Sequence, residues 1–291
     1  RSEQYSLLVD LSRDLGVQRT LQVDDSTLLG FYEACASGYP DNPYHNFVHA
    51  LDVTVILHRL LRELGAGVYL TPLDVAVTVL AAVCHDVGHP GVNNLYHVHA
   101  RTELAVRYKN ESILENHSYQ DSIKDEEEEK AQKRERDELI DSFKKAFFEI
   151  ILATDMRHHF SLLDEVHGMV ESFTLGPMGA AFRRRLCAIL LHAADVSNPV
   201  RSWSECKEWS DAITTEFRWQ GERERQEGLP VSPGMDGDST TPGAQARSAI
   251  EFNEVVIRPY FTALAEFLPK AHIFLDDLNS NLRHWRAIAA S

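Results

Sequence analysis

Long apolar runs are missing from this chain of 291 residues. No uninterrupted stretch approaches the roughly 20 residues a transmembrane helix needs, and no signal peptide is visible. Basic charge is also scarce: 29 Lys and Arg face 44 Asp and Glu, a net charge of −15. That balance argues against a general nucleic-acid binder, which neutralises phosphates with basic surface. A small anionic substrate stays open, because a bound cation reverses the local field. Cysteine is limited to Cys35, Cys84, Cys187 and Cys206, scattered along the chain. Cys84 and Cys187 fall inside apolar helical runs, so reduced, buried thiols and a reducing, cytoplasmic compartment are expected. No glycine-rich phosphate loop is present, which counts against a P-loop kinase or NTPase. Strand-like alternation is absent too, as is any repeat of fixed period.

What is present is helical periodicity in a chain of ordinary globular composition, 44% apolar and 25% charged. The length allows one large domain or two modest ones. Helices are expected over 5–16 and 25–37, and then from an Asn42 cap with Pro43 at the first position to about Leu64. On that third helix His49, Val53, Ile56 and Leu60 form a core-facing stripe, with His45 one turn before His49. Thr71, Pro72 and Asp74 open the next helix. Further helices are expected over 93–108, 113–123, 143–154, 183–194, 203–220, 244–268 and 275–289. The acidic run at 125–138 reads as a solvated helix face or loop. Residues 228–243, with four Gly and three Pro, read as a loop long enough for a lid or a disordered excursion. The fold class is therefore all-α.

The stretch with most chemical content is Val83-Cys84-His85-Asp86-Val87-Gly88-His89-Pro90-Gly91. A mostly apolar run ends in two imidazoles and a carboxylate within five residues, with Pro90-Gly91 expected to stop the helix. Imidazole and carboxylate together suit Zn, Mn, Fe and, through oxygen, Mg. Taken alone, the stretch is read equally well as a capped helix end with solvated histidines. Residues 183–195 repeat the pattern, delivering Asp195 at a helix C-terminus where it opposes the dipole and needs compensation, a cation being one candidate. The candidate set is His45, His49, His85, Asp86, His89, Glu115, Asp155 and Asp195, brought by several separate helices.

Five segments resemble, in order, the class I cyclic-nucleotide phosphodiesterases within the HD-type metal phosphohydrolases. They are Tyr44-His45-Asn46-Phe47-Val48-His49-Ala50, His85-Asp86-Val87-Gly88-His89-Pro90-Gly91, Leu114-Glu115-Asn116-His117, Ala153-Thr154-Asp155-Met156 and His192-Ala193-Ala194-Asp195-Val196-Ser197-Asn198-Pro199. The resemblance runs from about Phe31 to the C-terminus. It implies a compact multi-helix catalytic domain over 1–291, cut from a longer protein since the chain opens at Arg1. It further implies hydrolysis of cAMP or cGMP to the 5′-monophosphate with two metals, in signal transduction. By resemblance, His49, His85, Asp86 and Asp195 would hold a first metal, Zn. Asp86 would bridge to a second, Mg or Mn. His89, Glu115, Thr154 and Asp155 would orient the metal waters. His45 would be the general acid, oriented by Glu216. The residues suit that chemistry on their own terms: two cations clamp a phosphodiester, and an imidazolium protonates a poor leaving alkoxide.

For the base, the resemblance implies stacking on Phe252 with Ile213 on the other face, Phe217 flanking, and Asn198 at a polar edge. Tyr44 lies beside the proposed acid. Read by themselves, Phe252 and Ile213 fit plain core packing as well. The chain departs from the family three residues before Phe252, where Ala249 replaces a base-binding glutamine. Gln245 lies one turn earlier on the same face as a substitute partner, and weaker affinity or relaxed choice between cAMP and cGMP is expected. Two rivals remain: an HD phosphohydrolase acting on another nucleotide, and a nucleotide-binding regulatory domain with little activity. No membrane contact is evident, and regulatory partners are left undefined.

Overall fold

The computed structural model describes residues 1–123, 134–171, 179–236 and 241–290, and among these every regular element is a helix. The N-terminal half contains α1 (Ser2–Asp14), α2 (Val17–Leu21), α3 (Asp25–Ser37), α4 (Phe47–Arg62), α5 (Pro72–Cys84), α6 (Asn94–Ala100), α7 (Glu103–Arg107) and α8 (Ile113–Ser122). The C-terminal half contains α9 (Arg134–Leu152), α10 (His159–Glu171), α11 (Ala180–Asp195), α12 (Trp203–Gln226), α13 (Pro242–Phe252), α14 (Arg258–Phe267) and α15 (His272–Ala289). No helix among the described residues is long and apolar enough to cross a membrane.

Helix α5 is the centre of the packing. Thr71 and Asp74 close a capping box at its start, where Thr71 Oγ1 accepts from Asp74 N–H and Asp74 accepts from Thr71 N–H at 2.9 Å. Residues 75–84 are all buried, so this helix is apolar on every side and is enclosed by α2, α4, α9 and α11. The expected α4 stripe of His49, Val53, Ile56 and Leu60 is buried against it. All four cysteines are free and buried.

Several boundaries differ from the sequence expectation. Helix α4 starts at Phe47, with Asn46 as its cap: Asn46 Oδ1 accepts from Val48 and His49 N–H at 2.8 and 3.1 Å. Asn42 is no cap; its amide donates to the carbonyls of His45 and His89 at 2.9 and 2.7 Å. His45 consequently lies in a bend before the helix rather than on its face. Asn42-Pro43 is a strong local start signal that the long-range hydrogen bond to His89 overrides. Helix α5 ends at Cys84, well before Pro90-Gly91. The turn is made by Gly88 at φ +77°, a left-handed conformation natural to glycine. The 93–108 segment splits at Arg101, where Thr102 caps α7, and the 244–268 segment is broken by a π-turn at Asn253–Ile257. Helix α10 was not anticipated, and α9 begins earlier than expected, at Arg134. Residues 124–133 of the acidic run lie outside the described residues.

The glycine- and proline-rich loop is only partly loop-like. In its described part, Glu224 on α12 accepts from Ser232 N–H at 2.7 Å and from Ser232 Oγ at 2.6 Å, strapping residues 232–235 onto the helix. Residues 237–240 lie outside the described residues, and α13 starts at Pro242. The strap sits so close that a Cβ at Gly221 would lie 1.7 Å from the Met235 carbonyl oxygen. Gly221→Ala should therefore destabilise by about 1–3 kcal/mol through overpacking, lowering the melting temperature by roughly 2–10 °C. Circular-dichroism melting tests this, and an unchanged midpoint would mean the strap is not held as described.

Candidate active site

Three helix ends bring the first cluster together. His49 comes from the first turn of α4, Asp195 is the last residue of α11, and His85-Asp86 follows α5. Tyr39 braces that third end: its hydroxyl donates to the Val83 carbonyl at 2.8 Å and accepts from Asp86 N–H at 3.3 Å. His49 Nε2 lies 3.0 Å from Asp195 Oδ1 and 3.7 Å from Asp86 Oδ2. His85 Nε2 lies 3.2 Å from Asp86 Oδ2 and 3.4 Å from Asp195 Oδ1. Four bonds of about 2.0–2.1 Å at tetrahedral angles would put ligand atoms roughly 3.3–3.4 Å apart. The four separations straddle that value.

Protonation chemistry agrees. His85 Nδ1 sits 2.9 Å from the Ala82 carbonyl, which can only accept, so Nδ1 carries a proton and Nε2 is the nitrogen turned toward two carboxylates. Burial disfavours the His85 cation, but the Asp86 and Asp195 carboxylates outweigh it and raise its pKa well above the ordinary value. The two aspartates are correspondingly held well below the usual carboxylate range by the neighbouring histidines, against the opposing effect of burial. A field that favours a proton there favours a bound cation by the same sign of charge. His49, His85 and Asp195 present ligand atoms within 4.8 Å of one another, with Asp86 adjoining, and this donor set fits a metal.

A second group faces it. Glu216, buried on α12, accepts from the Tyr44 and His45 backbone N–H groups at 3.0 and 3.1 Å through one oxygen, and its other oxygen bonds His45 Nδ1. Burial opposes ionisation, yet these bonds, led by His45, lower the Glu216 pKa. Burial would lower the pKa of His45, but the bond to Glu216 and the nearby Asp86 and Asp195 charges raise it. His89 stacks on His45 with ring centroids 3.8 Å apart. Burial and the neighbouring His45 push its pKa down to about 3, so it is neutral. Its Nδ1 accepts from Gly91 N–H at 3.1 Å, leaving Nε2 as the protonated, donating nitrogen. His45, His89 and Glu216 also lie within ligand range of one another. Glu216 is already saturated by three donors, however, and this trio is better suited to holding a proton than a metal.

Between the clusters opens a cavity of about 740 Å³. His45, Asp86, His89, Glu115, Thr154, Asp155 and Asp195 line it, while His49 and His85 lie buried behind the two aspartates. Burial and then Asp155 raise the Glu115 pKa to about 7, and Asn94 donates to it at 3.1 Å. Thr154 Oγ1 donates to the Ile151 carbonyl at 2.8 Å, and Asp155 pairs with Arg157 Nε at 2.9 Å. Tyr44, Asn198, Ile213, Phe217, Gln245 and Phe252 also line the cavity, and Asn198 Nδ2 donates to Tyr44 Oη at 2.5 Å. Phe217 and Phe252 are part-exposed and face the opening. The Gln245 amide nitrogen is engaged by Ser210 Oγ at 3.0 Å and Asp211 Oδ1 at 2.8 Å. Ala249 lines the wall with only its methyl group.

Sequence reading missed Trp209 on α12, which lines the cavity with its ring 5.5 Å from Tyr44 and 5.7 Å from His49. It also missed Gln220, which accepts from Asn93 N–H at 2.8 Å and ties α6 to α12. Neither carries a local signal beyond its place on an amphipathic helix.

If the first cluster is a metal site, Zn²⁺ added to chelator-stripped protein should raise its melting temperature by several degrees; a ligand at a thousand times its Kd adds about 4 kcal/mol. Asp195→Asn should lose most of that shift. An undiminished shift in this variant would assign the metal elsewhere.

The profile of the 3′5′-cyclic nucleotide phosphodiesterase family matches residues 44–278. The chain is 31% identical to the 3′,5′-cyclic-nucleotide phosphodiesterase regA of Dictyostelium discoideum, over 97% of this chain and 35% of that protein. It is 33% identical to the high affinity cGMP-specific 3′,5′-cyclic phosphodiesterase 9A of Mus musculus, over 92% of this chain and 50% of that protein. The chain thus spans half or less of these relatives. The crystal structure of the phosphodiesterase domain of Salpingoeca rosetta rhodopsin phosphodiesterase superposes with a TM-score of 0.92 at 28% identity, covering 100% of this chain and 88% of that one.

Proposed function

Because the chain belongs to the 3′5′-cyclic nucleotide phosphodiesterase family, we propose that it hydrolyses a 3′,5′-cyclic nucleotide to the 5′-monophosphate. The whole of residues 1–291 is proposed to act as a single catalytic domain. The observation that carries the reading is the opposition of the His49, His85, Asp86 and Asp195 cluster to the Glu216-held His45 across one nucleotide-sized cavity.

In this reading His49, His85, Asp86 and Asp195 would hold a first divalent cation, Zn by their donor types, and Asp86 would also help to hold a second, Mg or Mn. Bound there, the cations would supply Lewis acidity to the phosphate and to the attacking water. The chain does the rest. His89, Glu115, Thr154 and Asp155 orient the surrounding waters. Glu216 accepts from His45 Nδ1, so the transferable proton sits on Nε2. As water adds to phosphorus and the P–O3′ bond breaks, that proton passes to the departing O3′. Phe252 and Ile213 enclose the base, with Phe217 at the mouth, Tyr44 and Asn198 as polar edges, and Gln245, whose amide nitrogen is held by Ser210 and Asp211, contributing only its carbonyl oxygen.

Turnover of cAMP and cGMP, followed by release of 5′-AMP or 5′-GMP, tests the function directly. His45→Ala should lower kcat by about 10²–10⁴ while keeping the metal-induced thermal shift. Loss of the shift with the rate would return His45 to the metal site. The acid form of His45 is stabilised by Glu216, so kcat falls only as pH rises through a pKa above the ordinary value of about 6.5. Glu216→Gln removes that stabilisation and should move the falling limb to lower pH; an unmoved limb would dissociate the pair from proton transfer.

A further inference from the structure

We infer that Asn253 is a substrate-binding residue that hydrogen-bonds the polar edge of the nucleotide base. The inference rests on the cyclic-nucleotide reading above. Asn253 is 1% exposed, yet neither Nδ2 nor Oδ1 has a hydrogen-bond partner among the described residues. Buried amides are ordinarily satisfied, because an unpaired one forfeits its hydration without return. The other buried side-chain amides follow that rule. Gln220 bonds Asn93, Glu224 and Ser232, and Asn281 donates to the Pro199 and Arg201 carbonyls at 2.9 and 2.8 Å.

The position of Asn253 points to what satisfies it. It forms part of the cavity wall, next to Phe252 and one helical turn beyond Ala249. It is also the first residue of the π-turn Asn253–Ile257, whose wide backbone loop closes with Arg258 N–H donating to the Asn253 carbonyl. Such turns recur at functional sites because they re-aim side chains out of helical register. A ring stacked on Phe252 would bring its edge to this stretch of wall, where Ala249 offers only a methyl. Gln245, the other amide on this face, is held by Ser210 and Asp211.

Asparagine presents a donor beside an acceptor and exchanges them by turning its amide over. No group among the described residues fixes the Asn253 amide, so either orientation is available. The six-membered rings of adenine and guanine each carry a donor beside an acceptor, in opposite order. Asn253 can therefore serve both, and its loss should weaken both nucleotides alike.

Steady-state kinetics of Asn253→Leu and Asn253→Ala with cAMP and cGMP, together with melting of the substrate-free proteins, test the assignment. We expect KM to rise roughly tenfold or more for both nucleotides, with kcat little changed. The melting temperature of Asn253→Leu should not fall, since an unpaired polar group is replaced by an apolar one of similar size. Should the leucine variant fail to fold, the alanine variant supplies the kinetic readout. An unchanged KM in a folded variant, with or without a lower melting temperature, overturns the role of Asn253 alone. A wild-type chain that turns over neither nucleotide overturns the activity, and this inference with it.

Discussion

Two buried carboxylates at the ends of apolar helices are the constraint around which this molecule is arranged. Asp195 terminates α11 and Asp86 follows the last turn of α5. Both sit where backbone carbonyls already concentrate negative potential. Such a placement is unfavourable unless positive charge answers it, and burial raises the cost. The answer is built from His49 and His85, which meet both aspartates within 3.7 Å and complete a donor set of near-tetrahedral spacing. Much of the fold serves to hold these groups still. The capping box of α5, the Asn46 cap of α4 and the Tyr39 hydroxyl each fix one of the helix ends involved.

The opposite wall depends on a different interaction, the bond network of Glu216. One carboxylate takes two backbone donors and an imidazole from residues 44–45, pinning the bend before α4 to the middle of α12. Asn42 pins the same bend to the His89 turn through two carbonyls. These bonds act at once on stability and on chemistry, because the group that anchors the bend also sets the tautomer and basicity of His45. His89 stays neutral at its side, and of the two stacked imidazoles His45 is the one whose cation is favoured.

Helix content was legible because its signals are local. Thr71-Pro72 with Asp74, the stripe led by His49, and the apolar run ending in Asp195 were read correctly from caps and period. Errors arose where a local signal lost to a distant partner. Asn42-Pro43 looks like a helix start, but the Asn42 amide is spent on His45 and His89. Residues 228–243 look like free loop, but Ser232 is strapped to Glu224. The break at Asn253–Ile257 has no glycine, and nothing in its composition announces a π-turn.

The sequence by itself determined the all-α class, the reduced cysteines and the imidazole and carboxylate types available for a metal. Periodicity, capping and residue chemistry are properties of neighbouring residues and survive without coordinates. Only the tertiary structure decided which of those groups meet. Glu216 and His45 lie 171 residues apart, and His49 and Asp195 146 apart. The engagement of Gln245, the packing of Trp209 against Tyr44 and His49 and the unpaired amide of Asn253 likewise depend on how helices pack. Hydrogen bonds reach about 3 Å, so a shift of one helix by a fraction of a turn makes or removes them, and no short-range pattern records that choice.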